Sequence, residues 1–250
     1  HTFTITCNDS IGQFGTSGRN KFLIDTQNPG VEYTGGTPTN STTLTATAAF
    51  INASATDDNG NQSITVDFNK TLQGLWTFNN GTLTDRSQYS RTLTSTQTNY
   101  THTGKFGGGR ELNGGSAFLT IPSISGGMSN WTFETWIKLN QAWTSSGTGI
   151  QTIYEAQGSD PDIILQLAGG DGGSMKFRCF NPTDNLLSAK TSWNGGQWYH
   201  VVLTYNGTKA IYVDGVFDSQ SASTCNNNGG GSYHTIGSFT GGTSGFLAGA

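Results

Sequence analysis

Two tight-turn dipeptides near the C-terminal end constrain this chain more than anything else in it. Asn206-Gly207 closes the alternating run Tyr199–Tyr205, and Asp214-Gly215 closes the next run, Ala210–Val213. Asn-Gly and Asp-Gly both accept positive φ, which tight hairpins need if their twist is to match the strands. Two such turns in succession, within Trp198–Phe217, specify a three-stranded antiparallel meander.

The rest of the chain follows the same period. Helical patterning is nearly absent. Short runs rich in Thr, Val, Ile and aromatics alternate with Gly, Asn and Asp. In the first part they predict strands at Thr2–Cys7, Lys21–Asp25, Val31–Thr34, Thr43–Phe50, Asn52–Ala55 and Ser63–Phe68. Further on they predict strands at Leu75–Phe78, Phe118–Pro122, Trp131–Leu139, Ile163–Leu167 and Met175–Phe180. In Trp131–Leu139 the residues Phe133, Thr135, Ile137 and Leu139 share one face, because side chains alternate along a strand. The prediction is an all-β protein.

Such a chain must still stay in solution, and its charge is low. Charged residues make up 11% of the 250 residues, with a formal net charge of −4 and 36 glycines. Typical domains carry about 25% charge. Hydroxyls, amides or attached sugar must do the work instead. The small, evenly spread charge offers no footprint for nucleic acid. No apolar stretch is long enough to cross a bilayer as a helix. The chain opens at His1 with no signal peptide and is read as a processed product or a fragment.

Nine N-x-S/T sequons start at Asn8, Asn40, Asn52, Asn61, Asn69, Asn80, Asn99, Asn130 and Asn206. That exceeds what a Thr- and Asn-rich composition yields by chance, and it points to a glycosylated exterior. The expected location is extracellular, at a cell surface.

Two resemblances organise the chain. From Leu75 onward it carries Leu75-Trp76-x-Phe78, Asp85-x-Ser87, Gly104-Lys105-Phe106-Gly107 and Leu112-Asn113-Gly114-Gly115. The Trp131–Leu139 run follows. Last comes Trp198-x-His200-Val201-x-x-Thr204-Tyr205-Asn206-Gly207, with Tyr212-Val213-Asp214-Gly215. In this order the motifs resemble the laminin-G-like, concanavalin A-like family. The resemblance implies an antiparallel β-sandwich of jelly-roll type at 72–250. It also places Trp76, Trp136, Trp198 and His200 in packing roles. Residues 1–71 resemble bacterial or archaeal immunoglobulin-like repeats more loosely. The motifs there are Phe3–Thr6, Asp9, Gly12, Phe22, Ile24-Asp25-Thr26, Pro29, Thr37-Pro38-Thr39-Asn40 and Ala53–Asp57.

Against the laminin-G-like pattern the chain stops at Ala250, before the family's usual last strand. The expectation is an open edge filled by further polypeptide or by a strand from a neighbour. Cys179 and Cys225 lie in one domain and are expected to pair, which leaves Cys7 for a partner outside the chain. Three buried thiols are the alternative.

Candidate chemistry is sparse. Enzymes of this architecture hydrolyse glycans with paired carboxylates. Glu32, Glu111, Glu134 and Glu155 each lack a second carboxylate two to four residues away. Glu134 is therefore read as a solvated outer-face residue and the chain as a non-enzyme. No cofactor is required. Calcium is the one ion the resemblance brings, with Asp85 at the family's acidic position and Asn80 in the loop before it. Sugar binding would use loop aromatics, and Trp143 and Trp193 are polar-flanked candidates. The leading functional expectation is a structural or adhesive component of a surface filament, sheath or layer. Its partners would be copies of itself or neighbouring surface proteins joined by strand addition. The alternative is a lectin-like module of an adhesin or a glycan-degrading enzyme.

Overall fold

The structure is a computed structural model. It describes residues 71–122, 124, 130–157, 163–179, 184–222, 233–239 and 242–250 of the C-terminal part. In the N-terminal part it describes 2–3, 6–8, 14–16, 20–21, 30–33 and 52–56. The chain divides into two compact units, His1–Asn69 and Lys70–Ala250. No α-helix occurs among the described residues, and none of their elements is a helix long and apolar enough to span a membrane.

Among its described residues the first unit holds three antiparallel strand pairs. β1 (Thr2–Phe3) pairs with β4 (Asn20–Lys21), β2 (Thr6–Asn8) with β3 (Phe14–Thr16), and β5 (Gly30–Tyr33) with β6 (Ala53–Thr56). Of the expected strand Thr2–Cys7, Thr2–Phe3 falls in β1 and Thr6–Cys7 in β2. The expected strands Thr43–Phe50 and Ser63–Phe68 lie outside the described residues.

The second unit is an antiparallel sandwich. Its strands are β7 (Thr94–Thr96), β8 (Asn99–Gly104), β9 (Gly107–Asn113), β10 (Phe118–Ile121), β11 (Trp131–Lys138), β12 (Ile150–Gln157) and β13 (Ile163–Ala168). After them come β14 (Met175–Cys179), β15 (Asp184–Leu187), β16 (Trp198–Tyr205), β17 (Lys209–Val213), β18 (Val216–Ser221), β19 (Tyr233–Ile236) and β20 (Ala248–Gly249). One sheet runs β15-β14-β13-β12-β19-β10-β7, and the facing one runs β11-β16-β17-β18. A third, β20-β9-β8, joins the second at its edge. Leu139 bridges to Gly249, and Lys138 and Ala250 exchange backbone bonds of 2.6 and 2.9 Å.

The meander read from Asn206-Gly207 and Asp214-Gly215 is β16-β17-β18. Asp214 (φ 52) and Gly215 (φ 78) both take positive φ at the second turn. Alternation then builds the core. Trp131 meets Phe177 edge-on at 5.5 Å, and Phe133 stacks on Tyr154 at 4.3 Å, which clasps the two sheets together. Leu165, Leu167, Val201, Leu203 and Ile211 fill the space between.

Leu75–Phe78 is not a strand. Phe78 has positive φ (58), and the segment bonds to the Asp85–Arg91 loop instead of to a sheet. Leu75 N–H donates to Asp85, and the Trp76 indole N–H donates to the Arg91 carbonyl.

One buried pair gives the sandwich an acid-sensitive point. The Tyr154 hydroxyl lies 2.9 Å from His234 Nδ1, and both residues are buried. Burial, with the positive Arg91 adding to it, pushes His234 down to about 4 from its ordinary 6.5. The folded state therefore holds His234 neutral, while the unfolded chain takes a proton below pH 6.5. Stability is fully present above pH 6.5 and falls away towards pH 4, by about 3 kcal/mol from this residue. Urea unfolding across pH 7 to 4 will show that slope, and His234→Gln will flatten it. An unchanged slope in the variant would assign the acid loss to other groups.

Candidate functional site

Strand parity decides which side chains face outward on the β11-β16-β17-β18 sheet. Phe133 and Ile137 point into the core, so Thr132, Glu134, Trp136 and Lys138 face out. On β16 Tyr199, Val201 and Leu203 point in, so Trp198, His200 and Val202 face out. Register sets Trp136 opposite His200, Lys138 opposite Trp198, and Glu134 opposite Val202. Tyr212 of β17 lies beyond Val202 and opposite Phe217 of β18.

These neighbours form a surface aromatic cluster. Trp136 stacks on His200 with ring centres 4.9 Å apart and planes at 24°. Phe106, from the β8–β9 turn, meets Trp136 edge-on at 5.5 Å. Lys105 Nζ stands 4.4 Å over the Trp136 ring, and Lys138 Nζ stands 4.8 Å over Trp198. Tyr212 and Phe217 pair edge-to-face at 5.7 Å. Phe106 is 71% exposed, Val216 68% and Phe217 52%. Trp136, Trp198 and Tyr212 are half-buried.

The polar groups around these rings are ordered. His200 Nε2 lies 3.8 Å from Glu134 Oε2, and the His200 backbone N–H donates to Asp214 Oδ1 at 2.9 Å. Outer-face rings held in fixed orientation beside hydrogen-bonding groups are what a sugar ring needs: an apolar surface for its C–H face and partners for its hydroxyls.

The two tryptophans read from the sequence as loop platforms for a sugar are not exposed. Trp143 and Trp193 are buried at 4% and 0% exposure. They bridge each other through two backbone bonds of 2.8 and 2.9 Å, and the Trp193 indole donates to the Gly173 carbonyl. Neither ring face is free for a sugar. Conversely, Trp136 and Trp198, read as packing, lie on the outer face. The signal was present in the sequence. If Phe133, Thr135 and Ile137 face the core, Trp136 between them cannot.

Asp85 is a loop organiser. Its Oδ1 accepts from the backbone N–H groups of Leu75 and Ser87, both at 2.8 Å. Its Oδ2 accepts from Ser87 Oγ at 2.7 Å and Arg91 N–H at 3.0 Å. Burial opposes ionisation, but these bonds outweigh it and hold the carboxyl below its usual range. With both oxygens engaged by protein donors, Asp85 does not fit a calcium ligand. Asn80 sits exposed in a 3-10 turn with positive φ (54). No cluster of three His, Cys, Asp or Glu able to hold a metal occurs among the described residues.

The sequon asparagines Asn52, Asn80, Asn99, Asn130 and Asn206 are all exposed. Asn8 lies in β2, and Asn40, Asn61 and Asn69 lie outside the described residues. Cys179 is disulfide-bonded. Its expected partner, Cys225, lies outside the described residues, and Cys7 falls in β2.

The family described as the concanavalin A-like lectin/glucanases superfamily matches residues 113–250, more than half of the chain. Among curated proteins none matches. Solved structures of similar fold include domain 4 of AbnA, a GH43 extracellular arabinanase from Geobacillus stearothermophilus, in complex with arabinotriose. It superposes with a TM-score of 0.54 at 20% identity, over 71% of this chain and 87% of that one. The botulinum neurotoxin serotype G binding domain gives 0.52 at 13% identity, over 64% and 41%. The binding domain of Paraclostridial Mosquitocidal Protein 1 gives 0.51 at 15%, over 65% and 42%. The chain thus spans about two-fifths of the length of the toxin binding domains it resembles. At these identities the likeness is one of fold.

Proposed function

Because the chain belongs to the concanavalin A-like lectin/glucanases superfamily, we propose that its sandwich is a non-catalytic carbohydrate-binding module of an extracellular protein. The observation that carries this reading is the outer-face cluster of exposed Phe106 with half-buried Trp136, His200 and Trp198. The arabinanase domain of similar fold, solved with a trisaccharide, lends it support. Glu134 supports a binding role over hydrolysis. Its neighbour at 3.8 Å is His200, where a glycosidase would set a second carboxylate. The exposed sequon asparagines fit an extracellular setting.

A glycan array probed with the full chain tests this. The wild-type protein will bind at least one glycan class. Trp136→Ala with Trp198→Ala will weaken that binding at least about tenfold, since each lost ring contact is worth about 1 kcal/mol. Both rings lie on the outer face, so the melting temperature should move little. Undiminished binding by the double variant would remove the outer face from the reading.

A structural or adhesive role by strand addition is the second reading, and one observation favours it. β20 is bonded on one side to Leu112 and Asn113 and on the other to the Lys138–Asn140 stretch. In line with it, the remainder of β9 and of β11 carries no backbone bond from one to the other among the described residues. An extended segment, whether this chain's own continuation or one from a second copy, would find ladder partners on both sides. Light scattering across a concentration series separates the two readings. Growth of ordered oligomers favours assembly, and a monomer at every concentration favours the module.

A further inference from the structure

We propose that the outer face selects acidic sugars, uronate-type chains above all, over neutral ones. This rests on the glycan-binding reading and adds the chemical class of the ligand. The chain has only 12 Lys and Arg against 16 Asp and Glu. Its overall field therefore does not attract anions, and any attraction must be local. Two of those few cations, Lys105 and Lys138, stand directly over the rings of the cluster.

Neither ammonium makes an ion pair among the described residues. The carboxylates on this face meet neither lysine. Glu134 Oε2 lies 3.8 Å from His200 Nε2, and Asp214 accepts the His200 backbone N–H. The two lysines are the positive charge left for a ligand. Trp136 and Lys138 are two residues apart on one strand face, about 7 Å. Adjacent units of one sugar chain can therefore reach both ring-and-cation pairs.

The geometry also explains why an acid would be preferred. A sugar stacking on Trp136 must displace Lys105 Nζ from its place 4.4 Å over the ring. A neutral sugar then costs the cation–π contact and returns only the stacking. A uronate returns the stacking and presents a carboxylate at the ring edge, within reach of the ammonium on its flexible stem. That exchanges the cation–π contact for a charge-assisted hydrogen bond. Lys138 over Trp198 repeats the arrangement.

The test is titration of the full chain with polygalacturonate, alginate and hyaluronate, each beside its carboxyl-reduced, neutral counterpart. The expected result is at least tenfold tighter binding of one or more acidic forms at low salt. The preference should collapse towards parity at high salt, because exposed charges are screened. It should also vanish in the Lys105→Ala, Lys138→Ala double variant, which keeps its binding to the reduced chain. Equal binding of acidic and reduced forms, or a preference that survives in the double variant, overturns the proposal. Binding of reduced chains that Trp136→Ala with Trp198→Ala abolishes would leave the glycan-binding reading standing without it. Absence of binding to every chain in both forms overturns the acid preference, and an array blank for all glycans overturns the reading beneath it.

Discussion

Asp85→Ala will cost the C-terminal sandwich about 4 kcal/mol, the largest single loss expected from removing one surface-loop carboxylate. Asp85 is 4% exposed and gathers four donors, three of them backbone N–H groups from Leu75, Ser87 and Arg91. Hydrogen bonds to a charged acceptor are worth about 1.5–3 kcal/mol each, and orphaned buried donors add their own penalty. The losses are not additive, because the loop can partly relax and admit water. The 71–91 segment has no sheet ladder to fall back on, so this carboxylate is its substitute. Asp85→Asn keeps the shape but turns an amide N–H₂ towards N–H donors, and should lose about half as much. All six tryptophans lie between Trp76 and Trp198, so fluorescence-monitored denaturation reports this unit alone. Calcium should not move the wild-type transition. A transition in Asp85→Ala within about 0.5 kcal/mol of wild type would mean that the loop is held by something else.

Gly173→Ala will be comparably severe, by about 4 kcal/mol, for a different reason. Gly173 has a φ of 89, where an L side chain is strained. An added Cβ would sit 2.1 Å from the Thr191 carbonyl oxygen and 2.8 Å from the Ser145 nitrogen. These are backbone atoms of the two segments that hold Trp143 and Trp193, and they cannot swing aside. Moving them would also strain the bond from the Trp193 indole to the Gly173 carbonyl, 3.0 Å. Strain and overpacking each contribute about 1–3 kcal/mol. Gly207→Ala is the matched control. Its φ is also positive, at 92, but nothing lies within 4 Å of the added atom. It should cost about 1 kcal/mol from backbone conformation alone. Equal losses at the two positions would show that φ, and not the crowding behind Trp193, sets the penalty.

The contrast between these sites shows which features the sequence could reveal. The β16-β17-β18 meander was legible because its signals are local: two dipeptides with special φ requirements between strands of strict alternation. The inward face of β11 was legible for the same reason. The strand assigned to Leu75–Phe78 failed because its alternation is real but its partner is not a strand. A carboxylate ten residues on captures the Leu75 N–H. The joining of β9 to β11 through β20 depends on residues over a hundred positions apart and leaves only a short, glycine-bearing trace in the sequence.

The tryptophans illustrate the same limit. Trp143 and Trp193 look like loop aromatics among polar neighbours, yet long-range pairing buries them against each other. Trp136 looked like core because family position outweighed parity. Phe106 and Lys105 sit in a glycine-flanked turn and gave no sign of where the turn would lean. Only the fold brings them to Trp136.

A glycan held on the outer face of the β11-β16-β17-β18 sheet must change the surroundings of Trp136 and Trp198. The most direct test is the set of six tryptophan indole N–H signals in a proton–nitrogen spectrum of the full chain. It would be recorded with and without the tightest binder from the glycan array. The Trp136 and Trp198 signals should shift and broaden on saturation while those of Trp143 and Trp193 stay in place. Shifts confined to Trp143 and Trp193, with Trp136 and Trp198 unmoved, would contradict outer-face binding and put the sugar in the loops.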